Sequence, residues 1–367
     1  MRLPTAVGRV ASSVLWPGPV VVAAVALGVA VGCGGPRADD DSGRYEIAYV
    51  RATAGGGTAL FLADDGGRRE RAVMQSDGSI SGLAWSPDGE RLAFAVCDGG
   101  ESTPCALHSV AADGGDPREE GEGRAPYWSP DGGRIAFVKP RGEALELYVT
   151  DSGQDAPRLK TAGLSDDEPS GVETPTVSPW SPDGSTLAVT LAPATGEAAE
   201  VMLVRGDGLR ERRAADDLEG AWFGGWAPSG GSMLLLGDSG DEAGVYLADA
   251  EGRVVRRIAA LGGALTSGVR TAWAADGRRV AVGTTTGVVV IDIEQGEPRR
   301  IAGGACEGAG GIGWTSSGAI WFTRGCDGAG RVMVETDIAT GSERVFAAAG
   351  IEFSLRVVFE RALSSKE

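Results

Sequence analysis

Trp85-Ser86-Pro87-Asp88-Gly89 recurs as Trp128-Ser129-Pro130-Asp131-Gly132 and again as Trp180-Ser181-Pro182-Asp183-Gly184. Three degenerate copies follow: Trp226-Ala227-Pro228-Ser229-Gly230, Trp273-Ala274-Ala275-Asp276-Gly277 and Trp314-Thr315-Ser316-Ser317-Gly318. The Trp residues are separated by 43, 52, 46, 47 and 41 positions. Self-similarity at such a period marks a repeat architecture, and about 45 residues is the length of a four-stranded propeller blade. Ser-Pro-Asp-Gly suits a type I turn, because Pro presets φ at the second position and Gly tolerates the fourth.

The flanks read as strands. Leu92-Ala93-Phe94-Ala95-Val96 follows the first copy and Ile135-Ala136-Phe137-Val138 the second, both rich in strand-forming residues. Glu146–Thr150 and Val245–Asp249 supply a further strand, and basic segments such as Arg256-Arg257-Ile258 and Arg299-Arg300-Ile301 close their units. The repeated Trp is expected to pack between neighbouring blades, since large aromatic residues dominate cores of this kind. The expected fold is therefore all-β: a propeller of four-stranded blades.

Six motifs do not count the blades. Glu46–Val50, Ala59–Leu62 and Arg69–Val73 form an opening unit that lacks its own innermost strand, and Phe353–Phe359 is a strand without a unit. Joining them gives seven blades closed by the C-terminal strand, which removes two sheet edges. Six blades with a flanking hairpin is the alternative.

These segments resemble the repeat of TolB-like propellers, which carry a Trp-Ser-Pro-Asp-Gly turn between the first two strands of each blade. The resemblance covers residues 44–362. It implies an envelope scaffold that contacts other envelope components. TolB carries an α/β domain before its propeller, whereas here blades follow the tether directly, so the resemblance is to the propeller and not to TolB itself. Similar repeats also accompany hydrolase domains in prolyl-oligopeptidase-like enzymes, and a shared fold does not fix a function.

The leading segment has a different character. Arg2 and Arg9 precede an apolar run from Val20 to Val31, which ends in Ala30-Val31-Gly32-Cys33. This pattern reads as a secretory signal peptide over residues 1–32, with Cys33 placed as in a bacterial lipobox, where the thiol is lipidated. Residues 33–43, rich in Gly and Asp, read as a flexible tether, and 363–367 as a short tail. An uncleaved membrane anchor is the alternative, although a 12-residue apolar run is short for a span of about 20. The expected location is thus outside the cytoplasm, lipid-anchored at the periplasmic or outer surface.

The formal charge of −17 excludes a nucleic-acid partner, which demands a basic face. It equally disfavours electrostatic docking on anionic lipid, leaving the lipid anchor as the expected membrane contact. Four further cysteines, Cys97, Cys105, Cys306 and Cys326, suggest two disulfides in an exported chain. Blade topology puts Cys97 and Cys105 in one loop, and Cys306 and Cys326 on the same face, giving the pairs 97–105 and 306–326.

Catalytic patterns are scarce. His108 is the single histidine and falls within a strand, with no nucleophile marked beside it. There is no Gly-x-Ser-x-Gly elbow, phosphate loop or zinc motif, and no cofactor or metal is implied. The connections into the innermost strands are acidic: Asp77; Glu119, Glu120 and Glu122; Asp166, Asp167, Glu168 and Glu173; Asp216, Asp217 and Glu219; Glu307. They read either as solvated charge or as a negative collar around the channel mouth that attracts a basic segment. Asp166, Asp167 and Glu168, in the longest such loop, are the first candidate contacts, followed by Asp216 and Asp217. Trp222 is an aromatic additional to the repeat, and stacks on a ligand or fills the core. The expected function is a non-catalytic lipoprotein that binds an envelope protein or cell-wall-associated component. A hydrolase or lyase that acts on an envelope polymer through two carboxylates is the alternative.

Overall fold

Each Trp-Ser-Pro-Asp-Gly segment forms the turn between the innermost and second strands of a blade. In the first copy the Gly89 N–H donates to the Ser86 carbonyl and the Ser86 N–H to the Arg91 carbonyl. The Asp88 carboxylate accepts from Ser86 Oγ at 2.6 Å and from the Glu90 N–H at 2.9 Å, an Asx arrangement that the second and third copies repeat. These donors favour the ionised carboxylates, so Asp131 and Asp183 sit below the usual range, with the Ser hydroxyls as the largest cause. All six motif glycines have φ between +66° and +82°, which costs a residue with Cβ about 1 kcal/mol or more.

The structure, a computed structural model, describes residues 45, 47–63, 69–98, 105–141, 144–151, 159–160, 170–173, 175–193, 198–205, 211–239, 242–261, 270–284, 287–302, 311–315, 317–325, 331–350 and 352–355. Their strands form seven four-stranded antiparallel sheets, and we number the blades in chain order. The innermost strands of blades 2 to 7 are Ser79–Trp85, Arg124–Trp128, Ser170–Val172, Gly220–Trp226, Thr271–Trp273 and Ile312–Trp314.

Blade 1 takes its innermost strand from the other end of the chain. Glu352–Leu355 pairs antiparallel with Ile47–Ala52, placing Leu355 opposite Ile47 and Phe353 opposite Tyr49. The fold is therefore a seven-bladed propeller with the expected closure, and the six-bladed alternative falls. The closing strand expected over Phe353–Phe359 is described as far as Leu355. The segments 1–32, 33–43 and 363–367 lie outside the described residues.

The core lies between blades. Between blades 4 and 5, for example, Val201, Leu203, Phe223, Trp226, Met233 and Leu235 are buried together. The motif Trp residues also tie the blades through their indole N–H groups. Trp128 donates to the Ala84 carbonyl (3.1 Å), Trp180 to Tyr127 (3.1 Å), Trp226 to Pro179 (3.0 Å), Trp273 to Gly225 (3.2 Å) and Trp314 to Ala272 (2.9 Å). In every case the acceptor is the residue just before the Trp of the preceding blade. Trp and Gly, the two letters common to all six copies, are thus the two whose geometry has no substitute: one bonds the next wall, the other turns left-handed.

Candidate binding site at the channel mouth

Strand pairing defines rungs along the channel. Each motif Trp stands opposite one second-strand residue, as Trp85 opposite Leu92 and Trp226 opposite Met233. Side chains alternate between the faces of a sheet, so odd rungs above the Trp face the following blade. On the third rung stand Ser81 of blade 2, Arg124 of blade 3 and Trp222 of blade 5, opposite Ala95, Val138 and Leu236. Glu173 of blade 4 joins them, its N–H bonded to the Thr190 carbonyl. Arg270 of blade 6 and Gly311 of blade 7 do so through carbonyls that accept from Gly283 and Thr323. In blade 1 the position falls to Glu352, opposite Val50.

Four adjacent blades therefore present a guanidinium, a carboxylate, an indole and a second guanidinium at one depth, and all four side chains are half-buried. Glu173 faces the indole N–H of Trp222. Burial pushes its carboxyl above the usual range, and the attraction of that N–H opposes the rise with smaller effect. The indole N–H is buried and meets no acceptor at full hydrogen-bond geometry, so the contact is a loose one. Elsewhere Trp222 packs on the cluster of Leu234, Leu236, Val280 and Val282. It is a wall residue with its polar edge toward Glu173, which joins the two roles the sequence left open.

The acidic connections divide. Asp216 and Asp217 lie in the turn between Glu211–Ala214 and Gly220–Trp226, both exposed, as are Asp77 and Glu219. Asp216 pairs with Arg213 at 3.5 Å, a contact worth little at such exposure. Glu119, Glu120 and Glu122 belong instead to the outermost strand of blade 2, Arg118–Glu122. Glu120 is buried, accepting from Ser109 Oγ at 2.6 Å, because a register shift there turns it inward. Glu122 pairs with Lys139. These three are not rim residues. Asp166, Asp167, Glu168 and Glu307 lie outside the described residues.

Cys97 and Cys105 form the expected disulfide, closing the loop between the second and third strands of blade 2; Cys33, Cys306 and Cys326 lie outside the described residues. His108 is buried against Phe94. Burial lowers its pKa against the opposing fields of Glu119 and Glu120, so it packs as a neutral ring.

No protein-family model matches the chain, and no curated protein matches it. Solved structures do. A prolyl endopeptidase is similar over 85% of this chain and 50% of its own, with a TM-score of 0.58 and 16% identity. The β-propeller domain of the Trilobed protease from Pyrococcus furiosus, which has an open velcro topology, is similar over 83% of this chain and 96% of its own (TM-score 0.57, 14% identity). TolB from Acinetobacter baumannii is similar over 70% of this chain and 64% of its own (TM-score 0.47, 19% identity). The chain thus spans half the length of the endopeptidase and less than two thirds of that TolB. At these identities the likeness is one of architecture, and the architecture is that of a seven-bladed, TolB-like β-propeller.

Proposed function

We propose that this chain is an exported, non-catalytic lipoprotein, anchored through Cys33, whose propeller binds an envelope protein or cell-wall-associated component at the channel mouth. The observation that carries this reading is the third-rung ring. Half-buried Arg124, Glu173, Trp222 and Arg270 stand together on rigid inner strands, below a connection that exposes Asp216, Asp217 and Glu219. Binding sites combine an apolar wall with a few converging polar groups in this way. Rim charge that attracts a partner acts mainly on its rate of arrival. The loop carrying Asp166, Asp167 and Glu168 precedes the same inner strand of blade 4 and belongs to this surface in our reading.

The test is a crosslinking pull-down from native membranes, comparing wild type with an Asp216→Asn, Asp217→Asn, Glu219→Gln variant. Capture of the same proteins in the same amounts by both would reduce the rim to solvating charge. Replacing Cys33 by Ser is expected to release the protein from the membrane fraction.

One observation favours the enzymatic alternative: Glu173 is a half-buried carboxyl with a raised pKa, a property of general acids. Cleavage of an envelope polysaccharide by wild type, abolished in Glu173→Gln, would establish that reading in place of the first.

A further inference from the structure

The charge of the mouth changes sign with depth. The described rim residues Asp77, Asp216, Asp217 and Glu219 are acidic and exposed. One layer in, the described side chains of the third rung are Ser81, Arg124, Glu173, Trp222 and Arg270, two cations against one carboxylate whose ionisation burial opposes. In a chain of formal charge −17, this inversion sits at a defined place in the fold.

The layers on either side leave room for it. Two rungs nearer the mouth stand Ser79, Gly171 and Gly220, opposite Cys97, Ala192 and Asp238. Two rungs deeper stand Ala84, Gly225, Ala272 and Gly313. Small residues above and below give the long third-rung side chains space to reach the axis. Blade 7 opposes them with Gly311, which adds no side chain of its own.

Resting on the reading of the mouth as a docking surface, we propose that this ring receives the C-terminal carboxylate of a polypeptide partner, with basic residues upstream of that terminus against the acidic rim. A guanidinium binds a carboxylate through paired N–H groups, and capture of a chain terminus is a recurrent recognition mode. Arg124 and Arg270 lie on blades 3 and 6, on either side of Glu173 and Trp222, so the terminal carboxylate is taken by a guanidinium. Glu173 then accepts the N–H of the terminal residue, and the Trp222 wall meets its side chain. An extended chain end is narrow enough to pass a rim of Ser and Gly. A basic internal segment satisfies the rim alone and leaves the two arginines without an anion, which is why a terminus fits better.

The experiment uses the full propeller and a pool of hexapeptides with Lys at the third and fourth positions and random residues elsewhere. The pool is presented in two forms, with a free C-terminal carboxylate or with a C-terminal amide. Capture of the free-acid pool at least tenfold above the amide pool is the expected result. Arg124→Gln and Arg270→Gln are expected to bring that ratio close to one, while their melting temperatures report that they fold. The Asp216→Asn, Asp217→Asn, Glu219→Gln variant separates the two readings: it lowers capture of both pools and leaves their ratio unchanged. Equal capture of acid and amide by wild type overturns the carboxylate proposal while preserving a basic docking surface. Capture of neither pool overturns it as well.

Discussion

Blade 5 and blade 1 are held in the ring by different means. Blade 5 meets blade 4 through a buried cluster that includes Val201, Phe223, Trp226 and Met233, and through the Trp226 bond to the Pro179 carbonyl. Blade 1 meets blade 7, among the described residues, through Ile47, Tyr49, Ala63 and Met333. The Trp-to-carbonyl bonds join blades 2 to 7 and stop on both sides of blade 1. On one side Leu355 occupies the register of the motif Trp, opposite Ile47 as Trp85 is opposite Leu92. On the other, the Trp85 indole N–H is buried without an acceptor. The chain itself secures six blades by their covalent order, each carrying its Trp. The seventh is assembled from both ends and relies on backbone pairing. Distant pairing of that kind forms late and is lost early.

The largest effect expected from this contrast comes from deleting residues 352–367. Blade 1 then loses the strand paired with Ile47–Val50, and the exposed edge invites association between molecules. Size-exclusion chromatography should show dimers or aggregates; a monomer with unchanged melting temperature would mean that the closing strand contributes nothing. Next in size is Trp226→Ala, expected to cost about 3–5 kcal/mol by cavity formation. The more discriminating pair is Trp226→Phe and Trp85→Phe. The first leaves the buried Pro179 carbonyl without its donor, the second removes a donor that had no acceptor. Urea titration should find the first more costly by at least about 1 kcal/mol; equal costs would show that the indole bonds are not what distinguishes these interfaces.

A smaller effect belongs to the Cys97–Cys105 link in blade 2, beside the weak side of blade 1. Closing a loop of sequence separation 8 constrains the unfolded chain by about 2–3 kcal/mol. Replacing both cysteines by Ser should lower stability by that amount or less, measured by the same titration, with the propeller still closed. The smallest effect is on pH. His108 is held neutral in the fold, its pKa lowered mainly by burial, while the unfolded value is about 6.5. A depressed folded pKa means that the unfolded state binds the proton first, so this contribution is intact above about pH 6.5 and is lost as pH falls through the lower folded value. It is the chain's single histidine, so His108→Gln should flatten the melting temperature between pH 6.5 and 5. An unchanged slope in that window would place the titration elsewhere.

The fold was legible because it is written six times. Spacing gave the blades, Ser-Pro-Asp-Gly the turn, and the orphan segments at the two ends the closure. The site was legible only in part. Trp222 and Glu173 stood out by residue type, but nothing in the sequence places them on one rung with Arg124 and Arg270. Register shifts are the reason. Extra residues at Ser81/Ala84, Arg124/Tyr127 and Phe223/Gly225 put the third rung four positions before the Trp at Ser81, Arg124 and Trp222. Blades 6 and 7 have no such shift, and there it lies three positions before, at Arg270 and Gly311; in blade 4 it lies seven before, at Glu173. A bulge changes the count without changing the pattern of residue types, so charges that meet in space do not align in the repeat. The same blindness assigned Glu120 to a rim loop, where one extra residue in a strand turned it inward.

The central claim is that the partner sits on the face reached by the connections into the inner strands. The most direct test is a residue-level crosslink map of the protein with its partner captured from native membranes. The account predicts crosslinks on Asp77, on 215–219 and near Glu173, and none on the opposite turns at 86–89, 129–132 and 181–184. Crosslinks confined to those turns would contradict it, and would move the binding surface to the other end of the channel.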